Sequence, residues 1–272
     1  MTTIADKRAT FRKLHASGCF VVPNPWDVGS ARFLQHLGFK ALASTSAGFA
    51  FSKGLPDNGV GRDAALAHLA ELVDATDLPL NADFENGFAH DPEGVAESVR
   101  LCAQTGVAGL SIEDSTGDPA APLYEHDHAV ARIRAARAAL DPDVMLVGRA
   151  EGFLVGRPDL DDVIRRLRAY ADAGADCLYA PHLKERGQIE AVVKAVAPKP
   201  VNVLISGPIG LSVADLAALG VRRVSVGGAL ARAAWGGFVR AATEIAERGT
   251  FDALADAAPH AMLQQLFRDG AR

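Results

Sequence analysis

Apolar positions along this chain fall into two alternating rhythms. Four segments have the form of a helix tail, a glycine and an apolar run: LQHLGFKALAST (34–45), CAQTGVAGLSIED (102–114), YADAGADCLYAP (170–181) and LAALGVRRVSVGG (216–228). Their glycines, Gly38, Gly106, Gly174 and Gly220, stand where each helix must stop, a position that favours a left-handed backbone. Four more short apolar runs lie between them: CFVVPN (19–24), LPLNADF (78–84), VMLVGRA (144–150) and KPVNVLI (199–205). Each follows a turn signal and precedes a stretch with apolar residues every three to four positions, as in DPEGVAESVRLCAQ and DLDDVIRRLRAYAD. Asp91 is placed to cap the first of these helices, with Pro92 at its first turn.

Eight strands alternating with helices predict parallel strands joined by right-handed crossovers. In 272 residues that pattern suggests a (β/α)8 TIM barrel, one domain over 1–272 ending in a C-terminal helical extension. An open doubly wound sheet is the alternative, but no glycine fingerprint follows the first strand. The stretch GFAFSKGLPDNGVGR (48–62) is the one loop long enough to act as a lid or site wall. Composition adds limits. About half of the residues, 49%, are apolar, enough for a sizeable core. The net charge is −5 with both signs mixed, which argues against a nucleic-acid partner. No apolar run has the length of a signal peptide or a membrane span, so a cytoplasmic protein with no membrane partner is expected. Cys19, Cys102 and Cys177 are odd in number and sit in apolar runs, which suits core packing better than disulfides or zinc.

In a barrel, chemistry gathers at the C-terminal ends of the strands. There the sequence places Asn24, Trp26 and Asp27, then Ser44, Thr45 and Ser46, then Asp83 and Glu85. Glu113 and Asp114, Arg149 and Glu151, His182, Asn202 and Ser206, and Gly227 and Gly228 follow. Asp83, Glu85 and Glu113 on one rim would repel one another and raise their own pKa values. A hard divalent cation, Mg2+ or Mn2+ in its place, removes that conflict; the lack of His or Cys among the acids disfavours zinc. The competing reading is that these acids cap helices or pair with Lys and Arg. Arg149 suits bidentate recognition of a carboxylate, and an ion pair with Glu113 or Glu151 can coexist with that role. The Ser-Thr-Ser run is either a carboxylate cradle or a polar turn. His182 has the character of a surface histidine, and Trp26 that of a packing residue.

The segments PNPWDVGSARFLQHLGFKAL, GLPD, PLNADFENGF, VAGLSIEDS, GRAEG and YADAGADCLY, in order from about residue 20 to about 235, resemble the isocitrate lyase/phosphoenolpyruvate mutase superfamily. The resemblance implies Mg2+ held by Asp57, Asp83, Glu85 and Glu113, some through water, and a 2-oxo acid or enolate on the metal. It implies that Thr45, Ser46 and Ala47 hold the substrate carboxylate and that Arg149 holds the substrate. Asn202 and His182 join the binding residues, and Glu113 joins Arg149 among the catalytic ones. It also implies a homo-oligomer, a dimer or a tetramer of dimers that swap their eighth helix. The family's chemistry makes or breaks a C–C or P–C bond beside a pyruvate-like enolate, which a metal bound to both oxygens of a 2-oxo acid stabilises.

The departures are as informative. The lyases' cysteine motif and the mutases' Lys and Asn belong in the loop after the fourth strand, which here is STGDPAAPLYEHDH (115–128). The second acid of the paired motif is Glu85, the sixth strand runs into Ala180-Pro181-His182, and the seventh into Ser206-Gly207. These features point first to a Mg2+-dependent C–C lyase or decarboxylase of a small 2-oxo or hydroxy dicarboxylate. Oxaloacetate decarboxylation is the simplest version, because it needs no cysteine acid. A phosphonopyruvate-type P–C hydrolase or mutase and a non-catalytic 2-oxo acid binding protein are the alternatives. Within the loop, His126 and His128 are the local candidates for a protein acid, with solvent as the competing proton source.

Overall fold

Gly38, Gly106, Gly174 and Gly220 adopt φ of 84°, 89°, 106° and 87°. Each ends a helix in the left-handed region, where a side chain is strained, and turns the chain into the next strand. The computed structural model describes residues 2–269. Its strands are β1 (Phe20–Val22), β2 (Leu42–Ala43), β3 (Leu80–Asp83), β4 (Gly109–Glu113), β5 (Met145–Arg149), β6 (Cys177–Tyr179), β7 (Val201–Leu204) and β8 (Arg223–Ser225). All neighbouring pairs are parallel, in the order β1-β8-β7-β6-β5-β4-β3-β2. The remaining gap, between β1 and β2, is bridged where the Ala43 N–H donates to the Pro23 carbonyl at 3.1 Å. The fold is a (β/α)8 barrel.

The helices are α1 (Ile4–Ala16), α2 (Val28–His36), α3 (Ser46–Ser52), α4 (Arg62–Ala75), α5 (Pro92–Gln104), α6 (His126–Ala139), α7 (Leu160–Asp172), α8 (Arg186–Val196), α9 (Val213–Ala218), α10 (Ala229–Arg248) and α11 (His260–Asp269). As expected, α5 starts on Pro92, with Asp91 accepting from the Gly94 N–H at 2.8 Å. Leu72, Val99, Ile133, Leu167 and Val192, all 2% exposed or less, fill the layer between the strands and this outer ring. Among the described residues no helix is long and apolar enough to cross a membrane.

A second, smaller core fills the lower half of the barrel. Val22, Ala41, Met145, Val147 and Cys177 point inward there and meet Phe11, a fully buried residue of α1. Gly109 makes that insertion fit: a Cβ on it would lie 2.9 Å from the Met145 carbonyl oxygen and 3.0 Å from the Phe11 ring. Helix α1 is thus a plug for the N-terminal mouth of the barrel, an element that barrel alternation does not announce. Its start is marked by a capping box between Thr3 and Asp6. The stretch 48–62, expected to be a loop, begins as the end of α3. Its buried Phe49 stacks on His68 with ring centroids 3.7 Å apart, and that packing stabilises a helix where glycine and β-turn signals predict none. The C-terminal extension folds as α10, a 3-10 turn and α11, whose Phe267 ring reaches within 3.5 Å of where a Cβ on Gly29 of α2 would stand.

His15, on the last turn of α1, supplies a stability test. It lies edge-on to Phe11 and Phe20, with Nδ1 2.8 Å from the Phe11 carbonyl oxygen. Burial, reinforced by the charge of Arg223, lowers its pKa to about 3. An exposed histidine titrates near 6.5, so the unfolded chain binds the extra proton between those values. Stability from this residue is complete above pH 6.5 and is lost as the pH falls toward 3, by roughly 2 kcal/mol at pH 5. Urea denaturation at pH 7.5 and pH 5 should show this loss, and His15→Gln should shrink it. An equal pH dependence in both proteins would remove His15 as the cause.

Candidate active site

The C-terminal ends of the strands enclose a cavity of about 500 Å3. Arg149, the last residue of β5, stands at its centre. Its Nη1 lies 2.6 Å from Asp83 Oδ1 and 2.8 Å from Glu113 Oε1, and its Nε lies 2.9 Å from Glu151 Oε1. Strand geometry imposes this grouping: Glu113 is in register with Arg149 on the neighbouring strand, and side chains two apart on one strand share a face. The guanidinium also lies 4.7 Å from the centre of the Tyr179 ring, its register partner on β6. The other oxygen of Asp83, Oδ2, accepts from the Ser46 N–H and hydroxyl, both at 3.0 Å. Thr45 caps α3 by accepting from the Gly48 N–H, and Ser46 also reaches Asp57 at 3.4 Å.

The acids outnumber the cation among them. Burial, then the charges of Asp83 and Asp57, push Glu85 up to about 7. Burial raises Glu113 despite Arg149, with Glu151 adding repulsion, and burial also lifts Glu151 to about 7. The second oxygen of Glu151 is buried without a hydrogen-bond partner. Against its own burial, Arg149 is held firmly protonated by Glu113, Glu151 and Asp83. In charge and donor type these oxygens fit a hard divalent cation such as Mg2+. Among the described residues, no three acidic, histidine or cysteine groups converge tightly enough to enclose an ion by themselves.

Of the residues singled out in the sequence, Thr45, Ser46, Ala47, Asp57, Asp83, Glu113, Arg149 and His182 all line this cavity. Glu85 faces an adjoining space with Asp83, His68 and Phe88. Asn202 lies below the cavity lining and spends its amide on the Ser225 hydroxyl and Arg223 Nε, both at 2.9 Å. Asp114 turns away from the cavity to accept from Tyr170, Arg166 and the Glu151 N–H, and Asp27 caps α2. Trp26 packs beside Gly48. Neither loop histidine lines the cavity: His126 Nδ1 pairs with Asp127, and His128 Nε2 meets the His90 carbonyl. Their position on the first turn of α6, outside the barrel, explains that. Tyr179 and Arg223 were missed as lining residues, although inward alternation along CLY and RVS marks both. Among the described residues Asn58, Glu85, Phe88 and His182 are the non-glycine residues with left-handed φ, from 48° to 65°; Glu85, Phe88 and His182 follow the C-terminal ends of strands, and Asn58 lies in the connection after α3. Such backbone strain persists where surrounding contacts over-determine it.

The family model described as phosphoenolpyruvate phosphomutase matches residues 11–246. The chain is 32% identical to an oxaloacetate decarboxylase of Paraburkholderia xenovorans, over 80% of this chain and 74% of that one. A structure of a putative lyase/mutase from Burkholderia cenocepacia superposes with a TM-score of 0.94 at 52% identity, covering 97% of each chain. A phosphonopyruvate hydrolase in complex with oxalate and Mg2+ superposes with a TM-score of 0.86 at 26% identity, covering 100% of this chain and 96% of that one.

Asp114 separates structural acids from those of the cavity. It is 2% exposed and accepts three hydrogen bonds, from the Glu151 N–H, Arg166 and the Tyr170 hydroxyl. Removing one member of such a buried pair leaves the guanidinium of Arg166 uncompensated. Asp114→Ala should therefore lower stability in urea denaturation by about 3–5 kcal/mol. A loss within about 0.5 kcal/mol would place it with ordinary surface residues.

Proposed function

The chain belongs to the phosphoenolpyruvate phosphomutase family, within the isocitrate lyase/phosphoenolpyruvate mutase superfamily of lyases and mutases, and from that premise we propose that it is a Mg2+-dependent carbon–carbon lyase or decarboxylase acting on a small 2-oxo or 2-hydroxy dicarboxylate. One observation carries the reading. Arg149 is pinned at the centre of a cavity whose described polar lining holds carboxylates, hydroxyls, amides, His182 and the guanidinium groups of Arg223 and Arg232, with neither Cys nor Lys. Such a lining suits a reaction whose main demand is to stabilise negative charge on a keto oxygen. Oxaloacetate decarboxylation asks least of it: the electrons of the breaking C–C bond form the enolate, CO2 leaves, and a proton from solvent completes pyruvate.

The residues divide that work. Asp83, Glu113 and Glu151 hold the guanidinium still, while its Nη2 takes no part in these ion pairs and is available to the enolate oxygen. Thr45, Ser46 and Ala47 receive the substrate carboxylate at the first turn of α3, where N–H groups lack intrahelical acceptors and the Ser46 N–H and hydroxyl also bond Asp83. His182 closes the wall, and Asn202 supports the floor. Asp57, Asp83, Glu85 and Glu113 would hold the cation, largely through water, and when bound it supplies Lewis-acid stabilisation of the growing charge. The likeness to a phosphonopyruvate hydrolase supports a second reading, cleavage of a P–C bond. The exposed Trp235, Phe238 and Val239 on α10 support assembly of the protein as a homo-oligomer.

The deciding experiment incubates the protein with Mg2+ and, separately, oxaloacetate, dimethylmalate, 2-methylisocitrate, isocitrate and phosphonopyruvate, and follows pyruvate, glyoxylate and phosphate. Pyruvate from oxaloacetate or a substituted malate, abolished in Asp83→Ala, is expected. Phosphate from phosphonopyruvate would install the second reading, and no product from any of them would overturn both. On the substrate so found, Arg149→Lys keeps the charge but loses the planar fork. A hydrogen bond between charged groups is worth about 1.5–3 kcal/mol, so turnover should fall roughly ten- to a hundredfold. Unchanged turnover would reduce Arg149 to a structural partner of the acids.

A further inference from the structure

Arg223 is a cation that the reaction outlined above does not use. It extends from β8 into the barrel and lines the same cavity, yet only 2% of it is exposed. Its Nε donates to Asn202 Oδ1 at 2.9 Å and its Nη1 to Asn81 Oδ1 at 3.2 Å. Both acceptors are neutral amides, and no carboxylate among the described residues forms an ion pair with it. A guanidinium has five N–H donors, and among the described residues Nε and Nη1 make the side-chain hydrogen bonds of Arg223 and Nη2 makes none. A buried charge of this kind is costly unless something of opposite sign meets it. The nearby Arg149 adds repulsion, and burial already works against the charged form.

The second cation also stands at a defined depth. Asn81 and Asp83 are consecutive inward positions of β3, about 6.6 Å apart along the strand. Asp83 fastens Arg149, and Asn81 fastens Arg223. Two guanidinium groups therefore occupy successive levels of the barrel, and only the upper one is neutralised. Ser111, Ser225 and Tyr179 line the wall beside them with groups that can donate hydrogen bonds.

We propose that the floor of the cavity is a carboxylate subsite in which Arg223 receives the distal carboxylate of a short dicarboxylate whose other end lies at Arg149. This rests on the reading of the substrate as a small 2-oxo or 2-hydroxy acid and narrows it. A carboxylate held by Arg223 would lose its charge on leaving as CO2, so the subsite opposes decarboxylation from that end. It sides with cleavage of the bond between the two carboxylates of a malate-type substrate. That step keeps both charges: the carbinol oxygen gives up its proton to solvent and becomes a keto group, and the C–C electron pair becomes the enolate of the leaving carboxylate, which takes a proton from solvent.

The test reads binding alone, with two ligands that carry no bond the reaction can break. Succinate and butyrate have the same four carbons and differ only in carboxylate against methyl at one end. Calorimetric titration of the protein in Mg2+ buffer should give a preference for succinate of at least roughly tenfold, the worth of one hydrogen bond to a charged group. Arg223→Gln should bring the ratio to within about twofold, and so should Asn81→Asp, which gives Arg223 a carboxylate of its own while leaving it in place. Asn81→Asp decides the matter if Arg223→Gln does not fold. A wild-type ratio near one, or a preference that survives neutralisation of Arg223, overturns the subsite. Neither result depends on turnover, so failure here leaves the pyruvate assay to judge the reaction by itself.

Discussion

The site depends on a single guanidinium held by three carboxylates. Arg149 can remain charged while buried only because Asp83, Glu113 and Glu151 surround it, and those acids can approach one another only because Arg149 lies among them. The arrangement is not neutral. Glu85 and Glu151 are both lifted to about 7, and the free oxygen of Glu151 has no partner. A site with this surplus of acids has an electrostatic demand that a bound cation would meet, and that would offset the cost of burying acids at the strand ends.

The barrel supplies the other constraint, a change of polarity along its axis. At the bottom, Phe11 and its apolar neighbours close the interior as an oily plug, with Gly109 giving up a side chain to admit the ring. Ser111 and Tyr179 stand one inward position beyond Gly109 and Cys177 on β4 and β6, and Asn81, Asn202 and Arg223 are polar inward residues of β3, β7 and β8. The same alternation that builds the core therefore builds the floor of the cavity. Rigid strands set the depth of each level, while the strained residues Glu85 and His182 lie where the chain leaves that scaffold.

The barrel was legible in the sequence because its signals are local and repeated. The four helix-stopping glycines adopt the backbone their positions imply, and the apolar runs become strands. The acids at strand ends were also legible, since a strand end in a barrel has only one place to point. What the sequence conceals is direction across a peptide or two. Glu113 faces the cavity and Asp114, one residue later, faces α7, because successive side chains on a strand alternate. Glu85 departs from that rule through its left-handed backbone, which turns it into the adjoining space. Helix α1 has no counterpart in the βα repeat, and its role appears only when Phe11 meets residues more than a hundred positions away, such as Met145 and Cys177.

The loop after β4 shows how the chemistry is divided. In the superfamily pattern noted from the sequence, this segment carries reactive side chains; here its polar groups bond to the loop itself. The Thr116 hydroxyl donates to the Ala121 carbonyl at 2.6 Å, the Thr116 N–H donates to the Pro122 carbonyl at 3.0 Å, and Asp118 accepts from the Ala120 N–H at 2.9 Å. Tyr124 is drawn toward His90 and lies under Arg132. Of the whole segment, Ser115 alone among the described residues lines the cavity. A loop tied up in this way places none of its described acidic or histidine side chains in the cavity lining. Under the reaction proposed above, the work of bond cleavage would fall on groups the barrel itself fixes, Arg149 and the strand-end oxygens around it, and the proton that quenches an enolate would come from solvent. In that reading the fold keeps the charge-stabilising half of the site on rigid strands and would leave proton supply to water, a division that suits a substrate whose carbanion is delocalised onto oxygen.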